Sequence, residues 1–141
     1  MKKRTGIIIV CLLITLAGCP GVEPGPGTNV GFSGKFAITE AGFEMEGKIA
    51  ETPGTAGFHE FRNVSVQLYT KNGTLIRSFQ IGTLNWSTNV SITSKQVPYY
   101  VIITSPEFWE VDNIGVDYYE RTEDDLYIQR IASSKSELPV Q

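Results

Sequence analysis

Three sets of residues in this chain have the types and spacing to do chemistry. The first is Leu16-Ala17-Gly18-Cys19, where small residues lead up to a thiol. Small side chains leave the backbone open to a peptidase, and a cysteine thiolate is a nucleophile that can take up an alkyl or acyl group. The second is four N-x-Ser/Thr sequons, Asn63-Val-Ser, Asn72-Gly-Thr, Asn85-Trp-Ser and Asn89-Val-Ser. Each is an acceptor sequence for a glycan. The third is a run of carboxylates, Glu107, Glu110, Asp112 and Asp117, followed by Glu123-Asp124-Asp125. Such groups can ligate calcium, or work in pairs as acid and base in a hydrolase.

Catalysis has the weakest support of these. The carboxylates lack the dense ligand spacing of a calcium loop, so they read as a solvated acidic face with no metal site. His59, the single histidine, lies in Gly57-Phe-His-Glu-Phe61. A general base needs a partner in reach, and neighbouring residues on a strand, such as Glu60, face opposite ways. His59 therefore reads as loop packing. No nucleophile-elbow sequence is present. We expect no catalytic residues, no cofactor and no enzyme activity.

The elements around Cys19 explain its position. Lys2, Lys3 and Arg4 form a positive head, and Gly6 to Ala17 is an apolar run that includes Cys11. As a helix this run covers only about 18 Å, short of a roughly 30 Å hydrocarbon core. It has the length of a signal-peptide segment, a signal helix in residues 1–18. Leu-Ala-Gly-Cys resembles the lipobox of secreted lipoproteins, in which the chain is cut before the cysteine and the thiol is lipidated. That resemblance implies membrane lipid as the partner of Cys19 and a place on the outer face of the cell membrane. One acyl chain binds a membrane only marginally, so a stable anchor needs more than one.

Removing residues 1–18 takes away three of the 12 basic residues and none of the 15 acidic ones, leaving an acidic remainder. No basic stripe is available to displace phosphate counterions, which argues against nucleic acid as a partner. Neither cysteine can form an internal disulfide in the remainder, so packing alone must hold it. Residues 19–31 are rich in proline and glycine and read as an extended tether.

From Phe32 to residue 132 the period is two. Phe43, Met45 and Ile49 alternate with charged residues, with Phe32 to Ile38 as a hairpin partner. Thr52 to Gly57 is a loop. Val64, Val66 and Leu68 share a phase, and Asn72-Gly73 predicts a two-residue type I′ turn with both residues at positive φ. Leu75, Phe79 and Ile81 form the returning strand. Val90 and Ile92 mark another strand, and Val97 to Thr104 a covered central one with Pro98 near its start. Ser105-Pro-Glu-Phe-Trp-Glu predicts one helical turn. Ile114, Val116 and Tyr118, then Leu126, Ile128 and Ile131, supply the last strands, and residues 133–141 form a polar, frayed tail. The sum is an all-β antiparallel sandwich of about seven or eight strands.

An Asn-Gly hairpin followed by Pro98-Tyr-Tyr-Val-Ile and an aromatic turn is similar, at fold level, to small transthyretin-like or carboxypeptidase-regulatory-like domains. The run from Phe61 to Tyr119 resembles uncharacterised secreted lipoproteins of halophilic archaea, a likeness that carries no known activity. The sequons fall on polar strand phases and a turn tip, where a glycan finds solvent. Of the aromatic residues, Trp86 and Trp109 are the best candidates for exposure and binding, the rest belonging to the core. The expected role is a non-catalytic surface lipoprotein domain serving the cell envelope or a surface assembly. The alternatives are a module binding sugar, peptide or protein through sandwich-end loops, and a small hydrolase using Glu107 and Glu110.

Overall fold

The computed structural model describes residues 7–9 and 27–140. Cys19, most of the signal segment and most of the tether lie outside the described residues.

The fold is all-β. Its strands are β1 (Ile7–Ile9), β2 (Thr28–Thr39), β3 (Gly42–Thr52), β4 (Glu60–Tyr69), β5 (Leu75–Asn85), β6 (Ser87–Ser94), β7 (Tyr100–Thr104), β8 (Ile114–Arg121) and β9 (Tyr127–Ala132). They form one nine-stranded sheet, in the order β5-β4-β7-β8-β2-β3-β6, with β1 on β2 and β9 on β8. The sheet curls until it is nearly closed, as a barrel-like sandwich. Pairing is antiparallel except where Thr28–Val30 of β2 run parallel to Ile114–Val116 of β8.

The alternating sequence explains most of the core. Val30, Phe32 and Phe36 of β2, Phe43, Met45 and Ile49 of β3, and Val64, Val66 and Leu68 of β4 are all buried. The β2–β3 hairpin runs in unbroken register from Asn29↔Thr52 to Thr39↔Gly42. Gly34 and Gly47 face each other there, and a Cβ on either would collide with the opposite backbone and the Phe32 ring. Phe32 thus packs over a pair of residues with no side chains of their own. β7 is central, between β4 and β8, and its Val101, Ile102 and Ile103 are all buried.

Several details differ from the sequence-based expectations, each for a local reason. Ile7–Ile9, expected within a signal helix, form a three-residue strand against Lys35–Ala37 of β2. β-branched residues favour a sheet edge when one is within reach. Thr28 and Val30, assigned to the tether, are buried strand residues, so the domain starts before Phe32. At the β4–β5 connection only Gly73 has positive φ, and Asn72 does not. Gly73 N–H donates to Thr70 O at 3.0 Å and Thr70 N–H to Thr74 O at 2.8 Å. The connection is a three-residue loop with a left-handed glycine, which Asn-Gly also suits.

Beyond that loop Leu75 is exposed, and Ile76 packs on the core instead. In β8, Val116 and Tyr119 both reach the core, a spacing that a regular alternation forbids. The slip occurs where β8 exchanges β2 for β9 as its neighbour. Tyr119, rather than Tyr118, therefore points inward, and its hydroxyl accepts the Phe32 N–H at 3.0 Å. β9 is likewise out of the expected phase: Tyr127 is buried, while Leu126, Ile128 and Ile131 are exposed. The Tyr127 hydroxyl donates to Pro98 O at 2.6 Å, and burial pushes its pKa up. The tail is not frayed within the described residues. Lys135–Glu137 form a 3-10 turn, and Leu138 is buried with Ile102 and Ala132 in a second apolar cluster.

Candidate functional site

The strands run alternately up and down, so the connections sort to two ends. The chain enters β2 at one of them, the entry end, which also carries the β3–β4 loop, the β5–β6 turn and the β7–β8 connection. The β4–β5 loop, the β6–β7 connection and the β8–β9 turn lie at the far end.

The entry end is organised by Glu51. It follows Phe43, Met45 and Ile49 on the inward phase of β3 and is 3% exposed. One of its carboxylate oxygens accepts the His59 N–H at 2.9 Å, and the other lies 2.6 Å from His59 Nδ1. A buried carboxylate needs such partners to offset lost hydration. The His59 ring in turn stacks on Phe61, with centroids 5.4 Å apart, and Phe61 meets Phe108 edge to face. The backbone of Glu51 has a second task, donating its N–H to Trp86 O at 2.9 Å. One residue therefore fixes both the β3–β4 loop and the β5–β6 turn.

Those two segments present the largest exposed rings among the described residues. Trp86 is 62% and Phe58 53% exposed, and their ring centroids are 5.6 Å apart. Trp86 also holds φ at 83°, in the left-handed region that costs a residue with a Cβ about 1–2 kcal/mol. Exposure of Trp86 agrees with the sequence reading. Trp109 departs from it: half-buried, it packs between the two apolar clusters and meets Phe108 edge to face. It sits within a one-turn 3-10 helix, Phe108–Glu110, and Ser105 ties down the residues that lead into it. Ser105 Oγ accepts the Glu107 N–H at 3.1 Å and donates to Arg62 O at 2.7 Å.

The far end holds a cleft of about 630 Å³ lined by residues that include Thr70, Lys71, Gln96, Tyr99, Glu120 and Arg121. Lys71 Nζ lies over the Tyr99 ring, 5.5 Å from its centroid. The Tyr99 hydroxyl donates to Glu120 at 3.2 Å, and Arg130 Nε lies 3.3 Å from the other Glu120 oxygen. The sequence did not single out this cleft, because its residues come from three separate connections.

The carboxylates that could have formed a hydrolytic or metal site are dispersed. Glu107 accepts the Arg62 N–H at 2.8 Å, and Glu110 is exposed. Asp125 pairs with Arg121 at 3.4 Å. Among the described residues no three His, Cys, Asp or Glu gather around a point where a cation could sit. Asp117 is the exception in burial, at 4% exposed. It lies over Gly31 of β2 and accepts from Gln129 Nε2 at 2.7 Å and Asn29 Nδ2 at 3.4 Å. Burial pushes its pKa up to about 6, and the two amide bonds hold it from rising further.

All four sequon asparagines, Asn63, Asn72, Asn85 and Asn89, are exposed. Asn63 sits at an irregularity of β4 with φ at 57°, the others on a loop tip and at strand positions facing solvent. No helix of the described residues is long and apolar enough to cross a membrane. Comparison of the chain with protein-family models, with curated proteins and with solved structures found no match.

Proposed function

We propose that this chain is a non-catalytic, lipid-anchored domain of the outer cell surface, held to the membrane through Cys19 and contributing to the envelope or a surface assembly. The observation that supports a non-catalytic role is the engagement of its polar candidates in structure. Glu51 and His59 bind each other, Glu107 caps the backbone of β4, and Asp117 joins β2, β8 and β9. The reading of the address rests on the order of Lys2-Lys3-Arg4, the apolar run and Leu-Ala-Gly-Cys.

Intact mass of the native protein, extracted from membranes with detergent, tests the proposal. A mass that begins at Cys19 with added lipid, plus any increments for glycans at the sequons, is the expected result. A mass that retains residues 1–18 without lipid overturns the anchor.

The far-end cleft favours a second reading, a module that binds sugar, peptide or protein through its end loops. It combines an aromatic ring with a cation, a carboxylate and hydroxyls, the mixture that orients a polar ligand. A glycan or peptide array probed with the protein tests it. Signal that disappears in Tyr99→Ala but persists in Trp86→Ala supports a far-end site, and signal unchanged in Tyr99→Ala refutes it.

A further inference from the structure

We infer that Phe58 and Trp86 form a lipid-contacting edge that seats the entry end of the barrel on the membrane surface. The inference rests on the attachment of the chain to a membrane through its N-terminal segment.

The first observation is where the chain enters. Asn29 pairs with Thr52 and Val30 with Glu51, so the start of β2 lies one strand spacing, about 5 Å, from the residue that holds Trp86. Seven residues, 20–26, separate Cys19 from Gly27. Fully extended they span at most about 25 Å. A lipid on Cys19 therefore keeps the entry end near the headgroups, and the far end turns outward.

The second observation is the chemistry of that end. Two exposed rings stand side by side, and tryptophan is enriched at membrane interfaces because its apolar body and N–H suit that boundary. A sugar site would place polar groups around the rings to orient hydroxyls. Here the neighbouring carboxylate, Glu51, is buried and already committed to His59. Trp86 keeps a strained backbone while projecting into solvent, and such strain persists where the surroundings impose it. The strand-end bond from Glu51 N–H supplies that constraint. One lipid group binds only marginally, and a pair of interfacial rings adds a second contact.

The test uses the full chain purified from membranes and reconstituted into phosphatidylcholine vesicles, in a Trp109→Phe background so that Trp86 is the single tryptophan, excited selectively over the tyrosines. The expected result is a blue-shifted emission, strong quenching when the vesicles carry dibrominated acyl chains, and several-fold weaker quenching by aqueous acrylamide than in detergent-free buffer. A Phe58→Ala variant, altered at an exposed position, should reduce the quenching by brominated lipid. Trp86 that remains open to acrylamide and insensitive to brominated lipid overturns the inference. Protection from acrylamide that requires a soluble oligosaccharide, with no effect of brominated lipid, overturns it as well. Intact mass of the same sample separates the two proposals. Lipidated Cys19 with a water-exposed Trp86 leaves the anchor standing and removes the edge. Quenching by brominated lipid in a chain that retains residues 1–18 supports the edge and overturns the lipid anchor.

Discussion

Replacing Asp117 by asparagine should stabilise this protein at neutral pH and do nothing at acid pH. The carboxyl is 4% exposed and its pKa is pushed up to about 6 from an ordinary 3.8. Burial is the cause, and the amides of Asn29 and Gln129 recover only part of the lost hydration. The folded protein therefore holds this proton more tightly than the unfolded chain does. Where the folded state binds more protons, stability falls as pH rises, here through the window from about 4 to about 6. Two pKa units correspond to about 3 kcal/mol, which is the penalty carried above that window. An asparagine has no charge to bury, and the two partner amides can turn their oxygens toward its NH₂. After the cost of that rearrangement we expect a gain of about 1–2 kcal/mol near pH 7.5, or about 4–8 °C in melting temperature. Thermal and urea denaturation of both proteins at a series of pH values is the assay. The difference between them should shrink toward zero as pH falls to about 4. Lower stability of Asp117→Asn near neutrality, or a difference that does not change with pH, would refute the reasoning.

Other substitutions probe the two ends and the core. Glu51→Ala leaves the His59 N–H without its acceptor and should cost about 2 kcal/mol by denaturant titration. Its emission from Trp86 should broaden as the β3–β4 loop loosens, and an unchanged midpoint would count against the keystone role. Trp86→Gly relieves a left-handed backbone and removes an exposed ring. It should be as stable as the parent or more stable by up to about 1 kcal/mol in thermal denaturation, and a clear loss would mean that the ring packs structurally. Tyr127→Phe deprives the buried Pro98 carbonyl of its 2.6 Å donor and should cost about 1–2 kcal/mol, visible as a lower urea midpoint at equal slope.

The all-β class, the β2–β3 hairpin, the inward phase of β4 and the central place of β7 were legible because apolar alternation encodes them directly. Where β8 changes neighbours and β9 folds back, the phase depends on a tertiary exchange of partners, and local alternation carried no sign of it. Tyr119 and Tyr127 are buried, as expected of most of the aromatic residues, but Leu126, Ile128 and Ile131, the apolar residues expected to build the last strand, are exposed. Asn72-Gly73 marked the right turn with the wrong geometry, since a left-handed glycine after two ordinary residues uses the same pair. The exposure of Trp86 was foreseen, that of Phe58 was not. The partner of His59 was sought next door, at Glu60. Glu51 carried its own signal: a carboxylate on the phase of Phe43, Met45 and Ile49 must be buried, and a buried carboxylate must have donors.

The short pairing of Ile7–Ile9 with Lys35–Ala37 means that the proposed cut before Cys19 would change the edge of β2. While the leading segment is present, that stretch of β2 is covered on both sides, by β1 and by β3. A chain cut before Cys19 would lose β1 and uncover a row of backbone donors and acceptors on that stretch of β2. Open rows of this kind recruit strands from neighbouring chains, and an outward-facing lysine discourages them. Lys35 is exposed within this stretch. In a cut chain that charge would guard the edge which the isoleucines occupy in the uncut one, so the same three residues of β2 carry two different devices against strand pairing.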